Sequence, residues 1–291
     1  MKNKIILGTV QFGLDYGINN SSGKPNQNAV NELLDTAFDK DVEILDTAEA
    51  YGDSQEVIGK YHKQTTNQFK IITKFSSTRL DLPLAIKERV QANIETLGVD
   101  SLYCYMFHNY ADFKAYYLEF ERDVLELKKE GLIERLGVSV YTNEELEALL
   151  NYDEIDVIQL PFNLLDNTKQ RASVLKKAKT KGIEIHTRSV FLQGLFFKDL
   201  NSLPEKIKPI RRFLQEINEI AKSENINVSS LAFNYVYQQP RIDNVLIGVE
   251  TVEQLNENLQ LPENPISSEI MERIDEIKVE DKSLLNPSNW N

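Results

Sequence analysis

Short apolar runs rich in β-branched residues recur along the chain, each followed by a longer amphipathic stretch. This alternation constrains the fold more than any other feature. The runs fall at 5–7, 42–45, 69–73, 102–107, 134–139, 157–160, 183–187 and 244–247. Between them, apolar residues at helical spacing predict helices at 28–39, 83–97, 114–129, 142–150, 168–181 and 210–225, with more toward the C-terminus. Repeated strand–helix units build a parallel sheet with helices on its outside. Eight strands in 291 residues fit one closed (β/α)8 TIM barrel better than an open doubly wound sheet, which uses fewer strands per domain. The expected organisation is therefore α/β, a single barrel domain over 1–291.

Local punctuation agrees with this layout. Thr142 followed by Glu145 matches a capping box, and Gly98, Gly131 and Gly182 fall where a helix should stop before a strand. Pro83 suits a first helical turn. Two stretches exceed the minimal alternation. The first, 189–209, follows the seventh strand, the side on which a barrel carries its ligands, and is a candidate cover; the second, 228–239, has a helical apolar pattern before the eighth. The tail, 278–291, carries Pro287 and Trp290 without clear period, and either frays or crosses the barrel mouth.

Composition excludes several classes. A net charge of −12 spread over both halves offers no surface for neutralising adjacent phosphates, so no nucleic-acid partner is expected. Lys176, Lys177, Lys179 and Lys181 read as a solvated helix flank. A single cysteine, Cys104, inside an apolar run rules out an intrachain disulfide and suggests a reducing compartment. Residues 1–12 are broken by glycine and glutamine before a signal-peptide core could form. No stretch approaches the roughly 20 apolar residues of a membrane span. The expectation is a cytoplasmic protein with no membrane partner.

In such a barrel, reacting groups come from the C-terminal ends of several strands. Here the second strand ends in Asp46, closely followed by Tyr51; the third ends in Lys74 and the fourth in His108. A cation beside a phenol stabilises phenolate and should pull its pKa down from about 10. Such a phenol can protonate a carbonyl oxygen as hydride reaches the carbon, with Asp46 holding Lys74 charged and His108 orienting the carbonyl. Taken singly, each residue has a bland alternative: a turn, a packed aromatic, a solvated strand end, a core histidine. His62 and His186 keep that structural interpretation.

Asp46, Tyr51, Lys74 and His108 resemble, in order and context, the Asp-Tyr-Lys-His tetrad of the aldo-keto reductase family. The segment Asp46-Thr-Ala-Glu-Ala-Tyr51-Gly52 is similar to the family signature around its tyrosine, and Gly137-Val-Ser139-Val-Tyr141 to its fifth-strand motif. The resemblance implies an NAD(P)H-dependent oxidoreductase that reduces an aldehyde or ketone to an alcohol. It also implies nicotinamide contacts from Ser139, Gln159 and Asn163, a pyrophosphate loop with Ser189 and Gly194, and an adenosine stretch with Gly248, Glu250, Gln254, Glu257 and Asn258.

Two departures stand out. Arg188 occupies the seventh strand end, where many members stack an aromatic on the nicotinamide; it can stack there itself, reach an anionic substrate, or bind a cofactor phosphate. Glu250 stands where members preferring NADP(H) usually offer a cation. The resemblance favours NADP(H), whereas the local carboxylate favours NAD(H) by accepting from free ribose hydroxyls. Competing functions are a cofactor-binding scaffold without turnover and a Schiff-base lyase using Lys74. Asp46 argues against the lyase by raising the lysine pKa. Three scattered histidines and one cysteine give no metal-ligand spacing. Specificity should come from loops at 15–26, 110–116, 191–204 and the tail, with Tyr110, Phe191, Phe196 and Trp290 as candidate mouth residues. The resemblance implies a small carbonyl substrate as the partner; monomeric barrels are common in that family, so it leans to a monomer and leaves the oligomeric state open.

Overall fold

Strands buried on both faces carry near-continuous apolar runs rather than alternating ones; 5–7 and 102–107 are of that kind, whereas 134–139 and 183–187 carry polar residues among the apolar ones. The computed structural model describes residues 3–17, 23–83 and 85–290. In chain order, β1 (Ile5–Gly8), α1 (Val10–Gly13), α2 (Gln27–Asp39), β2 (Ile44–Asp46), α3 (Ser54–His62), β3 (Lys70–Phe75), α4 (Ile86–Leu97) and β4 (Leu102–Phe107) make the first half. Next come α5 (Tyr110–Lys129), β5 (Ile133–Ser139), α6 (Asn143–Leu149), β6 (Val157–Pro161), α7 (Thr168–Thr180) and β7 (Glu184–Arg188). The chain then forms α8 (Arg211–Ser223), α9 (Val228–Tyr237), β8 (Asn244–Gly248), α10 (Val252–Gln260) and α11 (Ser268–Asp275). Each strand pairs in parallel with the next, and β8 returns to β1, closing a (β/α)8 TIM barrel.

The barrel is filled, not hollow. Ile6, Ile44, Ile72, Cys104, Met106 and Val157 make an interior layer, separate from the larger apolar shell between strands and helices. Cys104 is fully buried there, and burial pushes its thiol well above the ordinary range. The floor is polar. Glu184 pairs with Arg135 and accepts from Tyr103 at 3.1 Å, Asn244 at 2.7 Å and the His186 ring at 2.7 Å. Burial drives His186 down to about 4, so a neutral imidazole seals this end.

The predicted caps are present: Thr142 and Glu145 form the capping box, and Gly98, Gly131 and Gly182 take positive φ behind α4, α5 and α7. Three expectations need correction. Pro83 precedes the helix, which begins at Ile86, and Leu84 lies outside the described residues. The helix expected at 114 begins at Tyr110, because Asn109 accepts from the Asp112 amide and starts it earlier. Residues 110–116 are therefore helix, not a loop. The tail forms short 3-10 turns, and Trp290 is buried and donates to the Leu284 carbonyl at 3.0 Å, so this end of the chain is packed, not frayed. The loop expected at 15–26 includes 18–22, outside the described residues. The basic flank of α7 is solvated but also paired, with Lys177, Lys179 and Lys181 reaching Glu147, Asp243 and Asp153. Among the described residues, no helix is long and apolar enough to cross a membrane.

Gly59 of α3 lets the α4 backbone approach closely: a Cβ there would stand 1.8 Å from the Thr96 carbonyl oxygen. Because backbone cannot yield as a flexible side chain can, Gly59→Ala should destabilise the protein by about 1–3 kcal/mol. Urea unfolding would show the lower midpoint; an unchanged midpoint would mean the two helices are free to separate.

Candidate active site

The sequence puts ionisable groups at adjacent strand ends, and the barrel's curvature brings them together. Asp46 closes β2 and Lys74 lies near the end of β3, only 2% and 1% exposed, with the ammonium donating to Asp46 Oδ1. Lys74 also donates to the Thr47 carbonyl at 2.9 Å. The other Asp46 oxygen accepts from Gln159 Nε2 of β6 at 2.8 Å. Tyr51 sits beyond β2, its hydroxyl in hydrogen-bonding reach of Lys74, whose Nζ lies 5.1 Å from the ring centroid. His108, just past β4, meets the Tyr51 ring edge-to-face at 5.5 Å between centroids.

The electrostatics follow from burial and partners. Burial alone would pull Lys74 down, but the Asp46 charge and the Tyr51 phenol lift it above its ordinary value, so the ammonium persists. For Tyr51 the expectation of a lowered pKa is overturned. Burial pushes the phenol up, and although Lys74 draws it back down, Asp46 opposes that pull; the sum is a raised value. Tyr51 is thus protonated at neutral pH. His108 is driven down to about 3 by burial, then by the nearby charges of Lys74 and Arg188, leaving a neutral imidazole.

These side chains line one end of a cavity of about 790 Å³, within the size range of small-molecule and cofactor sites. Arg188 lines the same end, close enough for its charge to act on both Tyr51 and His108; Ser139, Gln159, Ser189 and Gly194 also line the cavity, while Gly248, Glu250, Gln254, Glu257 and Asn258 line the portion formed by β8 and α10. One expected residue is elsewhere. Asn163 is fully buried and does not line the cavity; its Oδ1 accepts from the Leu165 and Asp166 amides at 2.9 and 3.0 Å. Its Nδ2 donates to the Ser189 carbonyl at 3.1 Å. Three of the four bonding positions of this amide are thus taken up in shaping two loops.

Comparison with known proteins gives the same direction. The model of the Aldo/keto reductase family matches residues 4–279. The chain belongs to the aldo/keto reductase family. This reductase is 22% identical over 254 residues to the NADH-specific methylglyoxal reductase of Escherichia coli strain K12, covering 75% of this chain and 78% of that one. An aldo-keto reductase of Bacillus subtilis strain 168 is 26% identical over 253 residues, covering 77% and 76%. In fold, the reductase resembles the holo form of an aldo-keto reductase from Bacillus halodurans with TM-score 0.75, at 19% identity over 96% and 94% of the two chains. The protein is an NAD(P)H-dependent oxidoreductase of a family that reduces carbonyls.

Sequence reasoning missed several lining residues of the reductase. Gln11 of α1 lines the cavity, and its Oε1 is buried without a partner. Tyr16 and Gln193 also line it and are joined by a 2.5 Å bond from Gln193 Nε2 to the Tyr16 hydroxyl. Neither residue sits at a strand end, so only loop geometry could reveal them. Phe191 and Phe197 line the cavity; Phe196, Tyr110 and Trp290 do not. Glu49, in the signature but given no role, is a buried anchor: it takes Arg89 as an ion partner at 2.7 Å and accepts from Asn93, Tyr105 and the Ser76 amide. This holds the turn that carries Tyr51. Gly13 and Gly52 close that turn from the other side, since a Cβ on Gly13 would fall 1.8 Å from the Tyr51 carbonyl oxygen.

Asp46→Ala would leave the Lys74 ammonium buried without its carboxylate, a loss of about 3–5 kcal/mol, whereas removing both charges is far milder. Denaturant unfolding of Asp46→Ala against the double variant Asp46→Leu with Lys74→Met checks this. Equal losses in the two proteins would show that the pair's charges are not the cause.

Proposed function

We propose that this chain reduces an aldehyde or ketone to an alcohol, with Tyr51 as the general acid and Lys74, Asp46 and His108 supporting it. The observation that carries this reading is a protonated phenol facing a ligand-sized cavity, with a buried ammonium 5.1 Å from its ring centroid and a neutral imidazole flanking it. The cavity suits a dinucleotide. Gln11 Oε1 offers a buried acceptor without a protein partner, and the absent side chain of Gly248 keeps space open, since a Cβ there would fall 2.6 Å from Gln11 Nε2. Ser139 and the Gln159 carbonyl oxygen would hold the carboxamide, Ser189 and Gly194 the pyrophosphate, and Gly248, Gln254 and Asn258 the adenosine. A reduced nicotinamide, when bound, supplies the hydride that the carbonyl carbon receives.

The chain's own residues supply the rest. His108 donates one N–H to the carbonyl oxygen and orients it, and Tyr51 transfers its hydroxyl proton to that oxygen as negative charge gathers there. Lys74 then stabilises the phenolate left behind. Asp46 keeps Lys74 charged, which also speaks against Schiff-base chemistry, because a protonated amine is not a nucleophile. Tyr51→Phe should lower kcat by about 10²–10⁴-fold, the usual range for a general acid, while dinucleotide binding by fluorescence stays intact. His108 keeps its neutral form above about 3 and the phenol keeps its proton below a raised pKa, so kcat/KM should be flat from about pH 5 to 9. An undiminished rate in Tyr51→Phe, or an acid limb near neutrality that His108→Gln removes, would overturn the assignment.

NADH is the cofactor this cavity favours. Glu250 and Glu257 line its adenosine end, and the only cations among the described lining residues are Lys74 and Arg188. A 2′-phosphate there meets carboxylates and no charge-assisted donor. The NADH-specific name of the Escherichia coli relative agrees. The ratio of kcat/KM for NADH over NADPH should exceed tenfold, about 1.4 kcal/mol. A roughly hundredfold preference for NADPH, about 2.7 kcal/mol the other way, would reject it.

A further inference from the structure

Arg188 ends β7 and lines the cavity together with Tyr51 and His108. One face of its guanidinium lies on the Tyr141 ring, 4.1 Å from the centroid. Its one hydrogen bond among the described residues is long, 3.4 Å from Nη2 to the Val140 carbonyl. No carboxylate among the described residues comes within ion-pairing distance of it. Asp46, the acidic group of this end, has both oxygens occupied by Lys74 and Gln159.

A guanidinium has five N–H donors in a planar fork, and here most of them have no protein acceptor. Stacking on Tyr141 holds the plane, so little rotamer freedom remains to be lost when an anion docks. The side chain is half-buried, which leaves its charge only partly hydrated. Its field reaches both Tyr51 and His108, which locates it at the carbonyl end, away from Glu250 and Glu257.

We infer that the substrate is an anionic carbonyl compound, bearing a carboxylate or phosphate close to its aldehyde or ketone, and that Arg188 is the residue that selects it. A pair of anionic oxygens matches the fork in a way a neutral aldehyde cannot. Stacking on the nicotinamide would instead make Arg188 a cofactor residue, and the two roles separate cleanly in the test. This inference rests on the reductase reading above only for its kinetic arm.

Wild type, Arg188→Met and Arg188→Lys would be assayed with 4-carboxybenzaldehyde against benzaldehyde, and glyceraldehyde 3-phosphate against glyceraldehyde. The first pair probes carboxylate, the second phosphate. Wild type should favour the anionic member of at least one pair by tenfold or more in kcat/KM, about what one charge-assisted contact supplies. Arg188→Met should erase that ratio chiefly through KM, and Arg188→Lys, which keeps the charge without the fork, should fall between. Dinucleotide Kd by fluorescence should stay within about threefold, since the contact is to substrate. A wild-type ratio near one in both pairs, or equal losses on charged and neutral substrates with a raised dinucleotide Kd, would overturn the inference. Calorimetric titration of the NADH-saturated protein with benzoate and benzamide gives an arm independent of turnover. Benzoate binding more tightly only when Arg188 is present supports the inference even if no carbonyl is reduced, in which case the reductase reading fails alone; benzoate binding no tighter than benzamide counts against it.

Discussion

A carboxylate and an ammonium sealed into the top of the barrel set the terms for everything around them. Removing such a pair from water costs several kcal/mol per ion unless each lone pair and each proton finds a partner. Asp46 and Lys74 meet that condition with groups from three strands and a turn: Lys74 on one carboxylate oxygen, Gln159 on the other, and the Thr47 carbonyl on the ammonium, with the Tyr51 ring beside it. Gln159 lies on β6, across the barrel from the β2 strand that carries Asp46, so the pair is satisfied only when the sheet has closed. Fold and site are thus one electrostatic problem. The apolar layer beneath, with Ile72, Cys104 and Met106 at its centre, keeps water away from below and strengthens each of these contacts.

The same pair explains which parts of the site were readable from sequence. Asp46, Lys74 and His108 were legible because a parallel barrel presents its strand ends on one face, and strand ends can be read from apolar runs. Tyr51 was legible because a short turn from β2 can carry it only a small distance from Lys74. All eight strands were found for a related reason: each carries a short apolar, β-branched stretch, though polar residues such as Arg135, Glu184 and His186 interrupt β5 and β7. Helix starts were less legible. The start of α5 depends on one side-chain bond from Asn109 to an amide, which competes with several equally plausible caps along the chain.

Position along a strand says where a side chain emerges but not which partner completes it. Asn163 follows β6 by two residues, as a ligand-binding residue might, yet the neighbouring amides of Leu165 and Asp166 claim its oxygen first. Gln159 does line the cavity, but its amide nitrogen is committed to Asp46. The direction of the Tyr51 shift failed for a similar reason. Pairwise logic sees the attraction to Lys74, whereas the phenol also loses water and faces Asp46, and the sum of those costs is larger. Arg188 was located correctly at its strand end, but its seat on Tyr141 depends on a neighbouring element that no one-dimensional reading brings beside it.

The connection after β7 shows how the scaffold prepares a ligand face without using the barrel itself. Ser189, Leu192 and Gln193 all take positive φ, as does Gly194. For side chains other than glycine, that conformation costs about 1 kcal/mol or more each. Such cost within one short segment persists only where surrounding contacts over-determine the backbone. Three such contacts are present: Asn163 holds the Ser189 carbonyl from the β6 side, Leu192 is fully buried in the core, and Gln193 reaches across to Tyr16. Two of the three act from outside the cavity. The loop's shape is therefore set by packing and by a buried amide, and Asn163, though it touches no ligand face, is the residue through which β6 dictates how the segment beside Arg188 is presented.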